Sequence, residues 1–157
     1  MNGDKMNLYL RKATLEDCDL LFNWANDDIV RKNAFNTDTI KFEDHIVWFN
    51  NKIHSNNCFI FILCLDKDPI GQIRIDIEEK CGIISYSIDK NYRFNGYGST
   101  LLSMLEDAII DIHINIVRLI GKVKYDNVAS QKAFKKNGYQ KILCEKYVLY
   151  SKKIKNN

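Results

Sequence analysis

Arg93-Phe94-Asn95-Gly96-Tyr97-Gly98 stands between an apolar run, Ile83 to Ile88, and an amphipathic one, Leu101 to Ile112. The order reads as strand, glycine-bearing loop, helix. Such a loop turns backbone N–H groups and a helix N-terminus toward an anion, and a phosphate is the natural occupant. The chain is therefore expected to hold a phosphate-bearing cofactor at the centre of its fold. The two commonest nucleotide loops do not fit. A dinucleotide fingerprint needs a third glycine where Leu101 stands, and the Gly-Lys-Ser/Thr triplet of a P-loop is absent. The plain alternative is a strand-to-helix turn that uses glycine for its positive φ.

Length and composition suit one domain over residues 1–157. Residues 1–6 and 152–157 are expected to be frayed ends. No apolar run reaches the length of a membrane span. The polar start, Met1-Asn2-Gly3-Asp4-Lys5, has no apolar core of a signal peptide. The expected location is the cytoplasm, with no membrane partner. The net charge of +3 is modest for a nucleic-acid surface, and no nucleic-acid partner is expected. The chain is expected to be a monomer or a homodimer. Cys18, Cys58, Cys64, Cys81 and Cys144 form no C-x-x-C pair and fall mostly in apolar runs, as reduced, buried thiols do. With His45, His54 and His113 scattered, no metal site is expected.

Outward from the loop, the pattern alternates strands and helices. A strand begins at Leu8, and Thr14 followed by Asp17 resembles a capping box that opens a helix running to Asn26. A second helix spans Lys41 to Ile53, with Phe42, Ile46, Phe49 and Ile53 at helical spacing. His45 and Trp48 share its flank. Cys58 to Leu65 reads as a strand buried on both faces. After a turn over Asp66 to Pro69, Ile73, Ile75 and Ile77 alternate with Gln72, Arg74 and Asp76, so one face is polar. Glu78 to Gly82 turns the chain into the strand before the loop. A strand over Ile116 to Lys124, a helix from Asn127 to Asn137 closed by Gly138, and paired strands Tyr139 to Leu143 and Lys146 to Tyr150 complete the chain. This order makes an α/β sandwich around a central sheet.

A second block supports the loop. Asn127 at a helix start, Ser130 three later, Phe134 seven later and then Gly138-Tyr139 resembles the second signature of the GCN5-related N-acetyltransferases. The glycine loop resembles their first, R/Q-x-x-G-x-G/A. The resemblance covers nearly the whole chain and implies the acyl-CoA N-acyltransferase fold, a central mixed, mostly antiparallel sheet flanked by about four helices. It implies that Ile88 pairs with the pantetheine arm of acetyl-CoA. Arg93, Phe94, Asn95, Gly96, Tyr97, Gly98 and Ser99 would hold the pyrophosphate, with Asn127 and Ser130 on the arm or the adenosine end.

Acyl transfer needs a deprotonated amine, a base or water chain, an oxyanion donor and a departing thiolate. A backbone N–H on the Tyr86-Ser87-Ile88 strand is the expected oxyanion donor, which makes Ser87 a catalytic candidate. His45, Asp76, Glu78 and Glu79 are candidates for the base; His45 has a suitable intrinsic pKa. Many relatives carry a tyrosine where this chain has Phe134, and phenylalanine donates no proton. Tyr125 and Tyr139 are candidate substitutes.

The run Trp24-Ala25-Asn26-Asp27, then Arg31, Phe35 and His45 to Phe49, with Gln72 and Arg74 beyond, resembles the acetyltransferases that modify a UDP-linked 4-amino sugar in pseudaminic acid biosynthesis. That resemblance implies a nucleotide-sugar acceptor. Arg31 or Arg74 would meet the diphosphate, Trp24, Phe35 or Trp48 would stack on uracil, and Gln72 would line the site. The rivals are an acceptor at a protein N-terminus, as in the ribosomal-protein acetyltransferases, a polyamine or antibiotic acceptor, and a non-catalytic acyl-CoA-binding module. Polycationic acceptors need clustered carboxylates, and Asp27-Asp28 is the candidate pair beside that run.

Overall fold

The computed structural model describes residues 5–155. The polar segment 1–4 and the last two residues, both counted above among the frayed ends, lie outside that range. A seven-stranded sheet runs β1-β2-β3-β4-β5-β7-β6. Its strands are β1 (Leu8–Lys12), β2 (Cys58–Leu65), β3 (Asp68–Glu78), β4 (Cys81–Ile88), β5 (Arg118–Val123), β6 (Gln140–Leu143) and β7 (Val148–Lys153). All neighbours are antiparallel except β4 and β5, which are parallel. The helices are α1 (Cys18–Ala25), α2 (Asp28–Asn33), α3 (Phe42–Ile53), α4 (Tyr97–Asp111) and α5 (Val128–Lys136). No helix among the described residues is long and apolar enough to cross a membrane.

β2 is buried on both faces because each face meets a different core. Phe61 and Leu63 join a cluster with Leu101, Leu105 and Ile109 of α4 and Phe134 of α5. Cys58, Ile60, Ile62 and Cys64 join Leu21 and Trp24 of α1 and Phe49 of α3. The expected α/β sandwich is therefore present. Cys58 and Cys64 behave as small hydrophobes, and burial pushes the Cys58 thiol up to about 11.

Local differences from the expected elements have physical causes. The first helix opens as a 3₁₀ turn at Leu15–Asp17. There Asp17 accepts from the Thr14 N–H (2.8 Å) and from both guanidinium nitrogens of Arg11 (2.8 Å each), so its carboxylate is shared between the cap and β1. A further helix, α2, follows because Asp27 caps it through the N–H groups of Ile29 and Val30. The β3–β4 turn is only Glu79-Lys80, both at positive φ (48° and 64°), which matches the twist of a two-residue hairpin. Lys152 and Lys153, expected in a frayed tail, lie in β7; Lys152 Nζ pairs with Glu106 (2.8 Å) and Ile154 is buried.

One close approach fixes the joint between α5 and the sheet. A Cβ at Gly121 of β5 would lie 2.3 Å from Phe134 Cζ. The Phe134 ring is stacked on Tyr150 (5.2 Å) and set edge-on to Tyr139 (4.9 Å), so it has no room to retreat. Gly121→Ala should therefore cost about 1–3 kcal/mol by overpacking, read as a lower urea midpoint at unchanged slope. An unchanged midpoint would show that the ring shifts freely.

Candidate active site

The glycine loop has the geometry of an anion cradle. Phe94 (φ 66°) and Gly96 (φ 79°) are left-handed, and α4 begins at Tyr97 with no side chain capping it. Asn95 Nδ2 donates to the carbonyls of Tyr92 and Arg93 and so holds the turn. The first intrahelical bond runs from Thr100 to the Gly96 carbonyl. Among the described residues, the N–H groups of residues 94–99 meet no protein acceptor. The first turn of α4 carries no acidic residue. A helix this long with open N–H groups attracts a phosphate.

Beside the loop, the sheet opens. The β4–β5 ladder ends at Ile84 and Gly121, whereas β4 continues to Ile88 against β3. The Asp89 N–H bond to the Ile70 carbonyl (2.8 Å) sets the alternation of the antiparallel ladder. By that alternation the N–H groups of Tyr86 and Ile88 turn away from β3, toward the opening. The Ser87 N–H turns to Gln72 across the β3 ladder. Ser87 is therefore corrected: its N–H faces β3, and those of its neighbours Tyr86 and Ile88 face the opening. Its hydroxyl instead accepts from Gln72 Nε2 (3.2 Å).

The opening leads into a cleft of about 1130 Å³, lined by the loop, the free end of β4, the start of α5, and residues of α1, α2 and α3. Asn127 and Ser130 both line it. Asn127 caps α5 through the Ser130 N–H, and Ser130 Oγ accepts from the Tyr86 hydroxyl (3.0 Å). Burial pushes the Tyr86 phenol up, and the Ser130 bond offsets part of that shift. Tyr86 also fills the space beside Gly98, where a Cβ would stand 3.3 Å from its ring.

On the far side, Gln72 and Arg74 of β3 oppose Ser87 and Ser85 of β4 and make a polar floor. Arg74 lies 5.0 Å from the Trp48 ring centroid and donates to Asp76 (2.9 Å). His45 is buried between Trp48 and Phe49, yet lines the cleft. Its Nε2 lies 2.9 Å from the Cys18 carbonyl, which only accepts, so that nitrogen carries the hydrogen. In the neutral ring, Nδ1 then keeps its lone pair. Phe35 lines the cleft and makes an edge-on contact with Tyr147 (5.9 Å), and Lys124 Nζ reaches the Lys32 carbonyl (2.9 Å).

Several expected roles change. Glu78 and Glu79 sit at the β3–β4 hairpin and do not line the cleft. Burial works against an ionised Asp76, but Lys52 and Arg74 outweigh it and hold its carboxyl below the usual range, so it is a poor base. Tyr139 is buried, its hydroxyl has no hydrogen-bond partner, burial drives its pKa far up, and it does not line the cleft. It is corrected from a candidate acid to a core residue. Tyr125 donates to the Cys144 carbonyl outside the cleft. Trp24 borders the cleft but is largely buried in the α1–α3 core, and its indole N–H donates to Asp89 (2.9 Å). Arg31 spends Nε and Nη1 on the carbonyls of Ala25, Asn36 and Asp38. Arg93 turns from the loop to the Ile88 carbonyl and to Asp27 (2.7 Å). The cleft retains Arg74, Lys90, Lys122, Lys132 and Lys136 against a single lining carboxylate among the described residues, Asp44. The Tyr86 hydroxyl and the lysines at 90 and 122 are additions that no spacing in the sequence marks. Among the described residues no cluster of His, Cys, Asp or Glu could hold a metal.

Comparison with known proteins agrees with this geometry. A search of curated proteins gave no match. The chain resembles spermidine N-acetyltransferase from Vibrio cholerae, solved with CoA and spermine (TM-score 0.81, 17% identity, 94% of this chain and 95% of that one). It resembles RimL, the ribosomal L7/L12 α-N-protein acetyltransferase solved with coenzyme A (0.81, 17%, 96% and 98%). It also resembles AAC(6′)-Ib solved with ribostamycin and coenzyme A (0.79, 13%, 94% and 93%). The family model described as an acetyltransferase (GNAT) domain matches residues 7–140, and the chain belongs to that family.

Proposed function

We propose that this protein transfers an acetyl group from acetyl-CoA to a primary amine on a small anionic acceptor, a nucleotide-linked 4-amino sugar. The observation that carries the acceptor class is the charge on the acceptor side of the cleft: Lys122 of β5 and Arg74 of β3, the latter also held by Asp76, line it with a single carboxylate, Asp44. A spermidine-like polycation would find few free carboxylates there, and Asp27 is already paired with Arg93.

The reaction follows from the placement of the groups. The loop N–H groups at 94–99 bind the pyrophosphate, and the open edge of β4 takes the pantetheine arm. The Tyr86 N–H receives the charge that develops on the carbonyl oxygen. His45 takes the amine proton at Nδ1, since its other nitrogen is engaged. The amine lone pair forms the C–N bond as the C–S bond breaks, and the electron pair leaves on sulfur. With Phe134 unable to donate, the Ser130 hydroxyl, whose oxygen accepts from Tyr86 and whose own hydrogen is not spent on that bond, is the donor in the lining that would meet the thiolate. A non-catalytic module would bind acetyl-CoA and release no CoA in response to any acceptor.

CoA release, followed with a thiol reagent, should rise with UDP-linked 4-amino sugars and not with basic N-terminal peptides or polyamines; turnover confined to either of the latter would overturn the acceptor while keeping the cofactor reading. His45→Gln keeps a donor for the Cys18 carbonyl but has no basic nitrogen, so kcat should fall about 10²-fold or more with acetyl-CoA affinity unchanged; an unchanged kcat removes His45 from the chemistry. Gly96 has open space around a would-be Cβ, so Gly96→Val is penalised by its φ of 79° alone. The variant should keep its circular dichroism and lose acetyl-CoA binding by calorimetry. Normal binding would sink the loop assignment.

A further inference from the structure

The turn Trp24-Ala25-Asn26-Asp27 between α1 and α2 bonds in two directions. Toward the phosphate loop, Trp24 Nε1 donates to Asp89 Oδ2 (2.9 Å) and Arg93 Nη2 donates to Asp27 Oδ1 (2.7 Å). These two bonds grip both ends of the segment that joins β4 to the loop. Toward the acceptor side, Asn26 exchanges two bonds with Ile40, at 2.9 and 2.8 Å, and the Ala25 carbonyl accepts from Arg31 of α2 (2.6 Å). Arg31 in turn holds the carbonyls of Asn36 and Asp38. The stretch from α2 to Ile40 is the wall of the acceptor cleft, carrying Val30, Phe35 and Ile40 into its lining.

Asp27 joins the two sides with one carboxylate, which caps α2 and holds the arginine of the glycine loop. Both partners of the pair are largely buried, with 18% of each side chain exposed, so solvent screens it little. Burial opposes the ionised Asp27, and the Arg93 bond with the α2 N–H groups outweighs it, so the carboxyl stays below its usual range. Moving Arg93 therefore disturbs the start of α2.

We infer that Asp27 is a positioning residue that couples the two ligand sites: a phosphate-bearing cofactor in the glycine loop steadies the segment that carries Arg93, and through the Arg93–Asp27 pair it orders α2 and the acceptor wall behind it. Cofactor binding then raises the affinity for the acceptor, and reciprocity requires the acceptor to raise cofactor affinity by the same factor. The inference rests on the loop's being the cofactor site.

Hydrogen exchange with CoA as the probe separates the two claims and needs no acceptor. In the wild-type chain, saturating CoA should slow exchange both at the loop, residues 93–100, and at the wall, residues 28–40. In Asp27→Asn the cap survives, because asparagine caps as well as aspartate, but the charge pair is lost. CoA should still protect the loop, and its effect on the wall should shrink by about tenfold, within the usual range of coupling between sites. A weakened α2 alone would raise exchange with and without CoA and leave the CoA-induced ratio unchanged. Trp24→Phe, which removes the donor to Asp89 and trims a buried ring, should give a partial loss of the CoA-induced ratio. Wall protection by CoA that is absent in the wild type, or equal in wild type and Asp27→Asn, overturns the coupling. Failure of CoA to protect the loop overturns the cofactor reading and the coupling with it.

Discussion

The parting of β4 from β5 is the constraint on which the site depends. Two adjacent parallel strands normally keep their ladder, because an unpaired backbone group away from water costs about 1–3 kcal/mol. Here the pairing stops at Ile84 and Gly121 while both strands continue, β4 against β3 and β5 against β7. The wedge is filled by aromatic rings: Phe134 lies on Gly121, and its edge contacts Tyr86 at 6.0 Å between centroids. The sheet thus exposes the N–H groups of Tyr86 and Ile88 in a place where water or a ligand amide must satisfy them. An extended arm carrying amide groups completes the ladder that β5 abandons.

Charge is arranged along the same line. The open N–H groups of the loop and the dipole of α4 provide fixed positive potential that no change of pH removes. Lys132 and Lys136 of α5 add to it at the cofactor end, and Arg74 and Lys122 extend it into the acceptor end. Arg74 is held in place from two sides, by the Trp48 face and by Asp76. A guanidinium fixed in that way meets an anion with little further loss of side-chain entropy.

Much of this was legible in the sequence, and the exceptions share a cause. The glycine loop, the cap of α5 at Asn127, the two-faced burial of β2 and the polar face of β3 follow from local patterns of spacing and polarity. The roles of Trp24, Arg31 and Arg93 do not. Each belongs to a type that binds nucleotides readily, and each spends its donors on partners distant in sequence or on loop carbonyls. Tyr139 and Glu78 were plausible by chemistry and fail by position, one facing the core and the other at a hairpin. The helix α2 is short and has no apolar stripe, and its one local sign was Asp27 in a capping position. Tertiary hydrogen bonding decides which polar side chains are free to act, and periodicity carries no record of it.

The phenylalanine at 134 shows how packing limits chemistry. Replacing a family tyrosine with phenylalanine reads, on paper, as the loss of a proton donor. In this fold the para carbon of the ring is the atom nearest to Gly121, 2.3 Å from where a Cβ would stand. The ring plane is set by Tyr150 beneath it and Tyr139 at its edge. A hydroxyl on that carbon would add an atom where the ring already packs closely on β5. The hydroxyl function has another source in the lining: Tyr86 rises from β4, crosses beside Gly98 and ends on Ser130 of α5. That bond ties the free edge of β4 to the helix on the other side of the opening, so Tyr86 joins the two walls through its side chain while its N–H faces the gap between them. The glycines at 98 and 121 make this possible, since each leaves room for one aromatic ring where any other residue would crowd it.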